Sequence, residues 1–169
     1  MKGCFDFTVD ELGPCKVLSP IHLSTKKEDY QANYVQDGER IQYDIDRIEG
    51  EADLDCAKNL IQKAGPREFI YFNPKHVNAG ICTCGGLCPG LNDVVRAIVR
   101  CLYNRYGVRR IRGIRFGFKG FFSDMGFDTL DLTPSLVDDI HKTGGSFSGT
   151  NRGGGDRVMD IVDALEAQQ

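Results

Sequence analysis

The sequence predicts an α/β fold, a partial doubly wound parallel sheet preceded by an irregular N-terminal leader. Three observations predict it. From residue 79 onward, apolar runs of strand length alternate with amphipathic stretches of helix length, the pattern of a parallel sheet covered by helices. A glycine-rich loop follows each of three strand positions. Within the best-defined helix, Leu91, Val94, Val95, Ile98, Val99 and Leu102 recur at i, i+3, i+4 spacing, the stripe of a helix packed on a sheet. The expected boundaries are 1–76 for the leader and 77–169 for the α/β domain.

The leader is the least patterned part. Ser19-Pro20, Asp37-Gly38 and Glu49-Gly50 mark turns, and Lys26-Lys27-Glu28-Asp29 reads as a solvated turn or helix end. Arg40-Ile41-Gln42-Tyr43-Asp44-Ile45 alternates with period two and predicts a strand. Residues 1–78 hold ten Lys/Arg against fourteen Asp/Glu, so this part is acidic, and no catalytic constellation stands out in it. Ala64-Gly65-Pro66-Arg67-Glu68 breaks the chain, and Phe69-Ile70-Tyr71-Phe72 predicts a short strand closed by Asn73-Pro74. His22 and His76 stand alone and read as surface or hydrogen-bonding residues.

Ala79-Gly80-Ile81-Cys82-Thr83 predicts a buried strand, and Leu91 to Tyr106 an unbroken helix starting near Pro89 to Asn92 and stopped by Gly107. Ile111-Arg112-Gly113-Ile114-Arg115-Phe116 predicts the next strand. Thr133-Pro134 has the form of an N-cap and first helical position, with Leu136, Val137 and Ile140 facing inward and Gly144-Gly145 as the stop. His141 would then complement that helix's dipole. Asp156 is expected to cap a last helix whose apolar face is Val158, Met159, Ile161, Val162 and Leu165.

The functional signal lies in the loops. Cys84-Gly85-Gly86-Leu87-Cys88-Pro89-Gly90 joins a strand to a helix, and such a turn suits a phosphate: glycines permit close approach, and free N–H groups of the first helical turn point outward. The spacing is neither G-x-G-x-x-G nor a P-loop. Gly117-Phe118-Lys119-Gly120 and the run from Gly144 to Gly155 follow at the same predicted sheet edge, beyond the strand carboxyl ends where ligands bind in such folds. Three loops on one edge, with the permanent cation of Arg152 between glycines, strengthen the phosphate reading.

Composition excludes several classes. Hydrophobic residues at 41% and charged residues at 27% describe a globular chain, and no apolar run reaches membrane-spanning length. The N-terminus has no hydrophobic signal core and carries acids early, so the expected location is cytoplasmic. A net charge of −3 argues against general nucleic-acid binding, and the cluster Arg105, Arg109, Arg110, Arg112, Arg115 and Lys119 reads as a solvated face. Seven cysteines without a signal peptide read as free thiols. The spacing Cys82, Cys84, Cys88 matches no zinc-ribbon or ferredoxin pattern, so neither a metal site nor disulfides are expected, and Cys82 and Cys84 should share one face of a strand.

The three loop motifs, in order and at matching spacing, resemble those of phosphofructokinases, and Lys63-Ala64-Gly65-Pro66-Arg67-Glu68-Phe69-Ile70-Tyr71-Phe72-Asn73-Pro74 resembles the plant and protist ATP-dependent group, relatives of the pyrophosphate-dependent enzymes. The resemblance covers about residues 36–167 and implies the Rossmann-like N-terminal part of a phosphofructokinase fold, with 77–169 an incomplete nucleotide-binding domain. It implies transfer of the ATP γ-phosphoryl to the 1-hydroxyl of fructose 6-phosphate in glycolysis, with Mg2+, in a homo-oligomer that engages neither nucleic acid nor membrane. It further implies that Gly85, Arg152 and Gly153 contact the nucleotide and that Phe118 lies beside it, where many relatives have Tyr.

The family's catalytic aspartate, its second phosphate loop with the metal ligand, and its substrate arginines correspond to positions beyond residue 169. No catalytic or metal residue is therefore assigned here, and Asp93 and Asp156 read as helix-start residues. The expectation is a truncated member, inactive alone. The alternatives are a non-catalytic regulatory fragment that associates with full-length subunits, and a pyrophosphate-dependent enzyme.

Overall fold

The computed structural model describes residues 6–26, 28–43 and 60–167. The chain divides into two compact units, Met1–Phe72 and Asn73–Gln169.

In the first unit, four short strands form two antiparallel pairs. β1 (Val17–Leu18) pairs with β4 (Phe69–Ile70), and β2 (Arg40–Gln42) with β3 (Leu60–Gln62), Ile41 lying opposite Ile61. The breaker sequence has a visible role: Val35 N donates to Pro66 O at 2.9 Å, and Arg67 Nη2 donates to Lys63 O at 2.7 Å. The predicted strands at Arg40 and Phe69 are present but shorter than expected. Asp44, Ile45, Glu49 and Gly50 lie outside the described residues, as does Lys27.

The second unit is built on β5 (Asn78–Cys82) and β6 (Arg110–Ile114), parallel and in register from Asn78↔Arg110 to Cys82↔Ile114. α1 (Leu91–Arg100) connects them, continuing as a π-helical turn over Cys101–Tyr106 that closes at Gly107 in the left-handed region. A strand the periodicity did not expose, β7 (Leu130–Asp131), pairs antiparallel with β6. The sheet is thus mixed and three-stranded, and the class is α/β. Its core joins Val95 and Val99 of α1 to Val108, Ile111, Leu132, Val137 and Ile140.

Three expectations are corrected. First, α1 is rotated from the predicted stripe: Val95 and Val99 are buried, whereas Val94 is 55% exposed and Ile98 39%. Asn92, whose buried amide donates to Ile140 O, lies on the buried side with Val95 and Val99. Second, no α-helix spans 133–143. Thr133 begins as a cap, its Oγ1 accepting from Leu136 N at 3.2 Å, but only turns and a 3-10 segment (Ile140–Lys142) follow. The backbone bonds there are of the i→i+3 kind, Lys142 N to Asp139 O and Thr143 N to Ile140 O. To the same stretch α1 adds side-chain bonds: Arg96 Nε donates to Asp138 O at 2.9 Å and Asn92 Nδ2 to Ile140 O at 3.1 Å. His141 accordingly ends no α-helix. Third, Asp156 does not cap α2 (Val158–Glu166). Arg157 holds the N-cap position, its guanidinium 2.5 Å from Asp160 and 3.8 Å over the Phe122 ring. Val158, Met159, Val162 and Leu165 of α2 are exposed among the described residues.

Candidate functional site

The three glycine loops meet. Thr83, just past β5, is buried with its hydroxyl donated to Gly149 O at 2.9 Å and 3.2 Å from Ser148 Oγ. Cys84 forms a parallel bridge with Asn151, and Gly85 N donates to Asn151 O at 3.0 Å. Thr150 Oγ1 reaches Thr83 O and Gly85 O, both at 3.0 Å. The second loop joins through Phe116 N, which donates to Ser148 O at 3.0 Å. Gly117 sits where the three segments touch. It has φ +64°, and a Cβ there would lie 3.1 Å from Asn151 O and 3.3 Å from Thr83 O. Only a residue without a side chain permits that approach.

Gly85 and Arg152 therefore lie on one edge, brought there by the isolated parallel bridge of Cys84 to Asn151. The strand that the sequence suggested directly before the third loop is not found among the described residues. A Cβ on Gly86 would be 2.9 Å from Arg152 Nη2, while one on Gly85 would meet open space. The Gly85 amide is occupied by Asn151, so its N–H is not among the free donors the sequence suggested. Arg152 is exposed, and its guanidinium makes no hydrogen bond or ion pair with another described residue. Gly153 is exposed beside it, with nothing within 4 Å of a Cβ position. Phe118 is half-buried; its Cβ lies 3.2 Å from the Cβ position of Gly154, and its ring edge 3.5 Å from that of Gly155. The four sequence-predicted site residues thus come from the three loops that meet around Gly117.

A second surface lies at the start of α1. A cleft of about 280 Å³ is lined by residues 87–93, His141, Thr143, Gly144 and Gly145. Gly90 occupies the N-cap without a side-chain cap bond, and Asp93 sits in the first turn. Asn92 is the residue whose role sequence reasoning missed. Besides Ile140 O, its Nδ2 reaches Thr143 O at 3.1 Å, and its Oδ1 accepts from Phe147 N at 2.9 Å. Its position in the first helical turn, facing an apolar stripe, was the available signal.

Cys82 and Cys84 do share a face, with their Sγ atoms 3.4 Å apart. Burial, then the hydrogen bond and the negative charge of Cys84, push the Cys82 thiol up to about 12. No cluster of three or more His, Cys, Asp or Glu able to hold a metal ion occurs among the described residues. The basic cluster is dispersed: Arg109 stacks 4.2 Å from the Tyr103 ring, Arg112 lies 3.5 Å from Asp131, and Arg115 lies 5.3 Å from the Phe116 ring. No helix among the described residues is long and apolar enough to cross a membrane.

Comparison with known proteins gives a consistent result. The phosphofructokinase family model matches residues 78–169. An ATP-dependent 6-phosphofructokinase of Borreliella burgdorferi is 44% identical over 161 residues, covering 95% of this chain and 35% of the relative. ATP-dependent 6-phosphofructokinase 4, chloroplastic, of Arabidopsis thaliana is 52% identical over 105 residues, 62% of this chain and 19% of the relative. The ATP-dependent 6-phosphofructokinase of Amycolatopsis methanolica is 44% identical over 164 residues, again 95% and 35%. The chain spans about a third or less of the length of these relatives.

Proposed function

We infer, from the premise that this chain belongs to the phosphofructokinase family, that residues 78–169 supply part of the ATP site of a 6-phosphofructokinase. The reaction assigned is transfer of the γ-phosphoryl of ATP to the 1-hydroxyl of fructose 6-phosphate. The sheet is read as the first part of a doubly wound domain, with β5 and β6 as its parallel pair. The protein is read as a homo-oligomer.

The observation that carries this reading is the meeting of the three loops around an unpaired cation. Phosphoryl transfer depends on positioning and charge neutralisation more than on covalent help from the protein. Arg152 has donors to spare and no competing carboxylate among the described residues, so its fork is available for a phosphate. Gly85 and Gly153 leave open backbone surface on which a polyphosphate lies close to the chain. Phe118 offers an apolar wall, without a hydroxyl, beside that surface. Magnesium accompanies the nucleotide in this reading and neutralises phosphate charge. No described cluster is assigned to hold it, and no step is derived through it. No residue of the stretch is assigned proton abstraction from the sugar, so its part is donor-side binding.

Arg152→Ala in the full-length protein is expected to weaken ATP binding about tenfold to a hundredfold, the range for losing a charge-assisted hydrogen bond of about 1.5–3 kcal/mol. Arg152→Lys should recover part of the loss, because it restores the charge and not the fork. Titration with ATP and, separately, with pyrophosphate measures both effects and identifies the donor. Unchanged affinity for both in Arg152→Ala removes Arg152 from the site. Pyrophosphate binding without ATP binding selects the pyrophosphate-dependent alternative. Association of this chain with full-length subunits of the family, without turnover of fructose 6-phosphate by the chain itself, selects the non-catalytic one.

A further inference from the structure

We propose that Cys82 and Cys84 form a dithiol modification site, which exchanges with a small disulfide of the glutathione class to close an intrachain disulfide and loosen the first loop from Asn151. The geometry is particular to this pair. Cys82 ends β5, Cys84 bridges to Asn151, and the intervening Thr83 is buried against the third loop. Alternation along an extended chain then sends both sulfurs to the same side. They lie 3.4 Å apart, with Cys84 exposed and Cys82 half-buried. Cys88, the other nearby thiol, is directed at Pro89 O, 3.5 Å away.

Closing the bond has a structural consequence. A disulfide needs its sulfurs about 2.05 Å apart and its Cα atoms no further than about 6.8 Å. Two positions along an extended strand already span about 6.8 Å. That span sits at the limit, and the commonest separation of about 5.5–6 Å is reached as the backbone around Thr83 folds inward. That backbone is tied across to the third loop by Thr150 Oγ1 to Thr83 O, Gly85 N to Asn151 O, and the Thr83 hydroxyl to Gly149 O. Each tie ends within three residues of Arg152, so the disulfide and the paired loops compete for the same backbone.

The exchange balances without any further reactant. The Cys84 thiolate attacks one sulfur of the small disulfide, forming a mixed disulfide and releasing a small thiolate. Cys82 then gives its proton to solvent, attacks the Cys84 sulfur and expels the second small thiolate. Two protein thiols are oxidised to one disulfide, and one small disulfide is reduced to two thiols. Cys84 reacts first because it is exposed, while burial and its bond to Cys84 keep the proton on Cys82. A bridge closed against an extended backbone is readily reduced, so the step is reversible.

The test uses the full-length protein, equilibrated with oxidised and reduced glutathione, alkylated, digested and mapped by mass spectrometry. The expected product is a peptide bridged between Cys82 and Cys84, lighter by two hydrogens, which persists in Cys88→Ser and disappears in reduced glutathione. Cys82→Ser should instead trap glutathione on Cys84. Hydrogen exchange of residues 83–86 and 149–152 should be about tenfold faster in the bridged form, the change expected when one ordinary hydrogen bond is lost. A glutathione adduct as the end product in the unmutated protein, a bridge that requires Cys88, thiols that stay free, or bridged protein with unchanged exchange would each overturn the proposal. None of these readouts involves nucleotide, so the outcome is independent of the function inferred above.

Discussion

Asn92→Ala is expected to lower the unfolding free energy of the second unit by about 2 kcal/mol, in the range for losing two or so ordinary hydrogen bonds of a buried amide. The side chain is buried and satisfied at both ends, donating to Ile140 O and Thr143 O and accepting from Phe147 N. Alanine removes these bonds; Ile140 O keeps Thr143 N and Thr143 Oγ1 as donors, at 3.2 and 2.7 Å, so the loss falls on the half-buried Phe147 amide and on the tie between α1 and Thr143. The residues affected are those that follow Thr133 without an α-helix, where Asn92 adds a bond from α1 to Ile140 O beside the 3-10 bond from Thr143 N. The loss should therefore be local as well as global. Denaturant unfolding of Asn92→Ala should show a lower midpoint, and hydrogen exchange should show residues 140–147 opening more easily than β5 and β6. An unchanged midpoint would mean that this bonding contributes nothing net. Asn92→Asp is a sharper probe. It keeps the shape and the acceptor for Phe147 N, but places a carboxylate against two carbonyl oxygens, so its destabilisation should exceed that of alanine above the carboxylate pKa and shrink as pH falls.

Gly149→Ala is expected to be comparably damaging for a different reason. Gly149 has φ +72°, and a Cβ there would stand 2.5 Å from Phe116 Cδ1 and 2.7 Å from its Cε1. The left-handed backbone costs a residue with a side chain about 1–2 kcal/mol, and overpacking adds about 1–3 kcal/mol. Phe116 has little freedom to yield: its own φ is +56°, its amide is bonded to Ser148 O, and its ring packs 4.7 Å from that of Phe127. Relief would come from withdrawing the second loop, which carries Gly117 and Phe118, from the third. Gly149→Ala should thus lower the denaturation midpoint and weaken ATP binding together, whereas Arg152→Ala, at an exposed side chain, should weaken binding with the midpoint nearly unchanged. A Gly149→Ala protein as stable as the parent would show that the ring moves aside freely.

What the sequence determined by itself is the local part. Ala79 to Tyr106 reads as strand, glycine turn and helix because each piece is specified by neighbours a few residues away: an apolar run, a Pro-Gly turn, a stripe with helical period, and Gly107 as the stop. The family was legible too, since its three glycine motifs are contiguous and rigidly spaced. Tertiary structure decided what depends on distant partners. Thr133-Pro134 carries the correct helix-start chemistry, yet the α-helix does not follow, and the stretch is instead tied to α1 by Arg96 and Asn92 from 42 and 48 residues away. The stripe on α1 was wide enough for two rotations, and the one found buries Val95 and Val99 together with Asn92, a polar residue that a hydrophobic count ignores. β7 has only two residues and is held by register with β6, a non-local pairing that a two-residue alternation cannot announce. At the site, the order of strands and glycine loops placed Gly85 and Arg152 on one edge, but only the folded chain showed that Asn151 occupies the Gly85 amide and leaves the Arg152 guanidinium without a described partner. Periodicity carries the shape of an element. Which of its polar groups remain free is settled by hydrogen bonds between residues far apart in the chain, and those exist only once the loops have met.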